Sequence, residues 1–172
     1  TESIASWDYA MCIDPHWYPT LFGWYNFASY GCAAFAFSIL LVLFLKSRGY
    51  LAQVNENHIH DLGKFMFGFS IFWTYLWFSQ FMLIWYANMP EETIYFLRRA
   101  QGGWYWMCWV LLITKFIIPF FVLLPRGTKR CENVMSKMAV FMLLAHWLDM
   151  YVMVMPNVFP KGPQFNWIEV GT

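Results

Sequence analysis

Lys115, His146 and Asp149 are ionisable side chains set inside long apolar runs, Lys115 in 104–124 and the other two in 138–155. At about 1.5 Å of helical rise per residue, Lys115 stands roughly 16 Å from the start of its run. His146 and Asp149 stand roughly 12 and 16 Å from the start of theirs. A bilayer's hydrocarbon layer is about 30 Å thick, so all three fall near its middle, where a charge is costly unless paired or hydrated. Proton transfer and ion pairing are the chemistries such groups can do. On a helix His146 and Asp149 share a face, and a carboxylate tunes an imidazole that titrates near neutrality. The pair can hand a proton along, or it can tie helices together by hydrogen bonds. Pro119 follows Lys115 by one turn and has no N–H for the Lys115 carbonyl. A kink there, with a polar carbonyl beside a polar side chain, can host water inside a bundle. The alternative is a neutral Lys115, or one locked in an ion pair with Asp149.

A second group of titratable residues lies in 55–64 (NENHIHDLGK): Glu56, His58, His60, Asp61 and Lys64. On a helix His58 shares a face with Asp61, and His60 with Lys64. The histidines then diverge, which disfavours a metal site and leaves a solvated helix entrance or a proton-collecting mouth. Asp14-Pro15-His16-Trp17 reads as interfacial polar residues, or as part of an exit path or partner contact. Ser70 with Thr74, Tyr75 with Ser79, and Gln80 suit polar helix–helix contacts. Cys12, Cys32, Cys108 and Cys131 show neither metal-ligand spacing nor a haem-attachment CxxCH, and Cys32 and Cys108 read as small apolar core residues.

Spanning helices must hold these groups. A hydrophobic share of 60%, with 23% aromatic and 12% charged residues, excludes an ordinary soluble domain. Four apolar runs, 22–45, 64–86, 104–124 and 138–155, can cross a bilayer, the last one only with tilt or local thinning. Backbone groups in lipid must be satisfied within each segment, so these runs predict α-helices. The fold expected is all-α: one integral membrane helical bundle over 1–172 with four spans. A missing initiator Met and a break at 165–172 (FNWIEVGT), where another span could open, suggest an internal portion of a longer polytopic chain.

The first and third connections carry Lys46, Arg48, Lys64, Arg126, Lys129, Arg130 and Lys137, against Arg98, Arg99 and Lys161 opposite, which places those connections in the cytoplasm. Trp17, Tyr18, Trp24, Tyr25, Trp85, Tyr86, Trp104, Tyr105, Trp106 and Trp109 suit headgroup-level belts, or else a quinone or haem pocket. Asn88 could cap a short interfacial helix over 93–99, with Pro90 in its first turn and Glu91 and Glu92 at its positive end. A net charge of +1 without a basic patch gives no sign of nucleic-acid binding.

Three stretches carry a family resemblance: DPHWYPTLFGWYNFAS (14–29), VNENHIHDLGKFMFGFSIFWTYLWFSQFMLIWYANMPEETIYF (54–96) and AHWLDMYVMVMP (145–156). Together they resemble a membrane subunit of bacterial alternative complex III, in the polysulfide-reductase membrane-anchor superfamily, nearer to the F subunit than to its paralogue, the C subunit. Members of that family have more spanning helices than this chain holds. The resemblance implies a multi-pass subunit of a quinol-oxidising electron-transfer complex in the bacterial inner membrane. Its implied partners are a paired membrane C subunit, iron–sulfur and multihaem cytochrome c subunits on the outer face, lipids and the quinone pool. Haem c and iron–sulfur clusters would belong to partner subunits, with no cofactor on this chain and quinone binding unassigned. Quinol oxidation in the family is usually assigned to the C subunit, and the F subunit is proposed to move protons through polar half-channels. Carried over by position, the proton-transfer candidates are His58, His60, Asp61, Lys115, His146 and Asp149.

The competing expectation is a purely structural scaffold for the redox subunits. A b-type haem protein is disfavoured because His146 is the only histidine at depth, and a secondary transporter because matched half-repeats are not apparent.

Overall fold

The computed structural model describes residues 2–9, 12, 21–51, 53–100, 102–159 and 162–163. Asp14, His16, Trp17, Tyr18, Lys161 and 165–172 lie outside the described residues. The described chain is helical throughout its elements: α1 (Glu2–Tyr9), α2 (Phe22–Ser47), α3 (Glu56–Ala87), α4 (Pro90–Ala100), α5 (Trp104–Leu123), α6 (Arg126–Arg130) and α7 (Glu132–Val158). Four of these, α2, α3, α5 and α7, are long and apolar enough to cross a membrane. The architecture is that of a multi-pass helical membrane protein.

Large apolar side chains, among them Phe37, Phe44, Phe65, Phe121 and Leu144, point outward from the bundle. Such a surface suits a lipid solvent, in which only backbone polar groups demand internal partners. The contacts between helices lean on small residues instead: Ala28, Cys32 and Ala36 on α2, with Ala139 and Ala145 on α7, are buried. Small side chains let backbones approach where no hydrophobic force separates protein from solvent. Accordingly α2 packs along both α3 and α7. Gly63 does the same for the start of α3, since a Cβ there would lie 3.0 Å from Met135 Cε and 3.4 Å from Lys129 Cγ.

The spans extend beyond the apolar runs. Helix α7 has 27 residues because 132–137 and 156–158 continue it past both ends of the lipid-like segment. At about 1.5 Å per residue it is about 40 Å long, with the apolar run 138–155 lying inside it. Helix α3 starts at Glu56, ahead of 64–86, because Asn55 caps it: its side chain accepts from the backbone of Asn57 and His58, and the His58 ring answers to the Asn55 backbone. Asn88 belongs to the end of α3 and not to the start of α4. It adopts the left-handed conformation (φ 48°) that Asn tolerates, and its N–H bonds to Ile84 O.

One end of the bundle gathers the first and third connections. Lys46 pairs with Glu132 at 2.6 Å, and Arg130 donates to Asn57 at 3.2 Å. At the other end α4 is tied to α7 by Arg99 donating to Met153 O (2.7 Å), and the start of α5 by Trp104 donating to Phe159 O (2.9 Å). Trp104 is fully buried, so it belongs to the core and not to the belt the sequence suggested.

Replacing Asn55 with Ala should cost about 1 kcal/mol, the usual worth of such a cap. Backbone amides over 56–59 should then exchange faster with deuterium while those over 70–80 keep their protection.

Candidate functional site

Helices α2, α3, α5 and α7 each send polar side chains to one point at mid-span. Asp149 on α7 is its centre. Its Oδ1 accepts from the Tyr25 hydroxyl, and its Oδ2 from Ser29 Oγ at 2.5 Å and Trp73 Nε1 at 3.1 Å. Lys115 Nζ stands 3.2 Å from the same Oδ2, and the two side chains are 1% and 0% exposed. All four contacts come from donors, the pattern that an acceptor-only carboxylate satisfies.

Lys115 reaches this point through a break in α5. Residues Ile113–Ile117 form a π turn, in which the Ile118 N–H bonds to Ile113 O. Pro119 has no N–H to continue the α pattern, and the wider turn accommodates that loss. The sequence predicted a kink with the Lys115 carbonyl left open to water. Instead Ser70 Oγ donates to that carbonyl at 2.5 Å. Of the polar residues on α3, Ser70 does join helices, fastening α3 to the π turn of α5, whereas Thr74 donates within α3 to Ser70 O. The ammonium itself donates to Ser29 Oγ at 2.8 Å and lies 5.2 Å from the Trp73 ring centroid, a contact in which an aromatic face attracts a cation.

His146 and Asp149 do share a face, but Ser29 joins them. Ser29 Oγ lies 2.9 Å from His146 Nδ1. A hydroxyl has one proton to give. Ser29 gives it to Asp149 and accepts from Lys115, so at His146 it can only accept again. The His146 Nδ1 must then carry the proton, and in a neutral ring Nε2 is the acceptor. The result is a continuous hydrogen-bonded chain, His146–Ser29–Asp149–Tyr25, with Lys115 as counter-charge.

Tyr25, Ser29 and Trp73 were not among the residues singled out for chemistry. Tyr25 had been grouped with the aromatic belt, whereas its hydroxyl turns inward to the carboxylate. A signal was available: Tyr25, Asn26 and Ser29 put three polar groups on one stretch of an otherwise apolar span. Asn26 is buried one turn from Ser29, and neither of its amide atoms has a partner among the described residues. Such a group costs about 1–3 kcal/mol.

His58, His60 and Asp61 are not part of this cluster. They sit at the basic end, where His58 caps α3 and Asp61 lies between Lys64 Nζ (2.8 Å) and His60 Nδ1 (3.6 Å). Ten residues of α3 separate His60 from Ser70, about 15 Å along the axis. The intervening layer is apolar and rich in methionine, with Met66, Met135, Met138 and Met142 packed around Ile39 and Ile59. No group of three or more His, Cys, Asp or Glu able to hold a metal occurs among the described residues.

On the opposite side of the cluster a cavity of about 980 Å³ runs towards α4, and Tyr25 and Asp149 are among the residues that line it. The closed-off Asp149 side chain and half-buried Tyr25 both border that space. The mid-span charges are thus sealed from the basic end and meet a cavity on the other.

No family model and no curated protein sequence matches the chain. The site is therefore read from its own geometry.

Two outcomes follow from the accounting of donors. Asp149→Asn or Lys115→Met alone should cost about 3–5 kcal/mol by leaving one buried charge unmatched, while Lys115→Met with Asp149→Leu should be close to neutral. Unfolding of the purified variants in mixed detergent micelles would read the difference. Nitrogen-15 NMR of His146 should show the Nδ1–H tautomer, and Ser29→Ala should abolish that preference.

Proposed function

We propose that this chain is a membrane subunit of a quinol-oxidising electron-transfer complex of the alternative complex III kind, and that it helps move protons across the bacterial inner membrane. The observation that carries the reading is the chain His146–Ser29–Asp149–Tyr25 at mid-span, one end of which meets the cavity beside α4. Ser29 and Tyr25 both donate to Asp149, so the carboxylate can take a proton from either side over hydrogen-bond distances, and it passes one on towards the cavity once Tyr25 has released its own proton there and turned to accept. Lys115 matches the carboxylate's charge and allows a titratable group to remain in a low-dielectric layer.

The resemblance of 14–29, 54–96 and 145–156 supplies the redox context. Quinol oxidation would take place in the paired C subunit, with iron–sulfur clusters and haem c in the outer-face subunits. In this reading the basic end faces the cytoplasm, and His58, His60 and Asp61 collect protons there. The methionine-rich layer is the barrier that prevents a leak between that mouth and the cluster. Methionine suits the place, because its flexible thioether can yield to transient water more readily than a branched side chain.

The complete closure of the Lys115–Asp149 pair favours a second reading, in which the cluster only fastens four helices and the chain is a scaffold for the redox subunits. One experiment separates the two. In vesicles containing the whole complex, His146→Phe should slow proton release by about 100-fold, the scale of a lost acid–base group, while the complex still assembles and oxidises quinol. Wild-type proton release from an assembled variant would leave the scaffold reading standing.

A further inference from the structure

The cavity beside α4 has a polar end that the proton chain does not use. Arg99 is 6% exposed. Its guanidinium donates to Tyr95 O at 3.1 Å and Met153 O at 2.7 Å and lies 3.4 Å from the Tyr95 ring centroid. These partners are all neutral, and no carboxylate pairs with Arg99 among the described residues. For a guanidinium so placed near the end of a span, an anion is the natural complement. Gln80 lines the same cavity, and its Oε1 is buried without a partner. That oxygen can be satisfied only by a donor.

The rest of the lining is overwhelmingly apolar and aromatic, and exposed Trp85, Leu97, Tyr105 and Trp109 stand at the rim. The opening therefore lies on the flank of the bundle, level with the Trp and Tyr residues that favour the headgroup zone.

We propose that this cavity holds an anionic lipid with a hydroxyl-bearing headgroup, of the phosphatidylglycerol type. Its phosphate takes the free N–H groups of Arg99, a headgroup hydroxyl donates to Gln80 Oε1, and acyl chains fill the apolar volume. A soluble anion would answer Arg99 but leave that volume empty. A neutral ring compound would fill it but leave Arg99 unmatched. The proposal does not rest on the proton reading, although Tyr25 and Asp149 line the same cavity.

Native mass spectrometry of the full chain in detergent tests it, using phosphatidylglycerol, phosphatidylmethanol (anionic, without a free hydroxyl), phosphatidylcholine and free glycerol phosphate as separate probes. The wild type should retain phosphatidylglycerol in preference to the other three. Arg99→Gln should weaken that retention by about tenfold and Arg99→Lys much less, the difference of a charge-assisted contact. Gln80→Leu removes an acceptor that has no protein partner, so the fold should survive, and the preference of phosphatidylglycerol over phosphatidylmethanol should vanish. Equal retention of phosphatidylcholine, or tighter binding of free glycerol phosphate, would overturn the lipid assignment. An undiminished preference for the glycerol headgroup in folded Gln80→Leu would overturn it as well, whether or not the Arg99 variants fold.

Discussion

A lysine from α5 and an aspartate from α7 meet in a layer where water cannot solvate either one. Coulomb attraction grows as the local dielectric falls, but so does the cost of removing each ion from water. A mid-span pair of this kind persists only when its remaining lone pairs and protons are also satisfied. The bundle commits its scarce polar residues to that end. Tyr25, Ser29 and Trp73 donate to the carboxylate, Ser29 also accepts from the ammonium, and Ser70 satisfies the carbonyl beside it. Each of the four spanning helices contributes, so the pair also dictates how those helices sit against one another.

Around that point the bundle is asymmetric. Towards the basic end the space is filled by methionines and small residues, and towards α4 it opens into an aromatic-walled cavity. Two different solvents thus border the cluster, a dry thioether layer and a partly open chamber.

Much of this was legible in the residues. The four spans, the depth of Lys115, His146 and Asp149, and the possibility of their pairing all follow from hydropathy and helical rise. The partners of the carboxylate did not follow. Tyr25, Ser29 and Trp73 lie 124, 120 and 76 residues from Asp149 in sequence. Each has an ordinary local explanation, as a belt tyrosine, a small helix-packing residue or a core aromatic. Only the third dimension brings them to one oxygen pair. Asn88 misled for the opposite reason: a cap preference applies equally to the end of one helix and the start of the next, and the two lie side by side at 87–90. The proline at 119 signalled a disturbance correctly, but whether a helix bends or widens depends on what the neighbouring α3 offers, here a serine hydroxyl.

The wide turn at Ile113–Ile117 holds more chain than a straight α-helical path would need. Upstream, Leu111 settles into one apolar cluster, and downstream, Leu123 settles into another. The surplus is spent on aiming one ammonium inward. Backbone length, and not side-chain identity alone, therefore sets where the positive charge points. A span trimmed by a single position within that turn could still traverse the membrane with its outer faces unchanged, yet lose its grip on the carboxylate opposite.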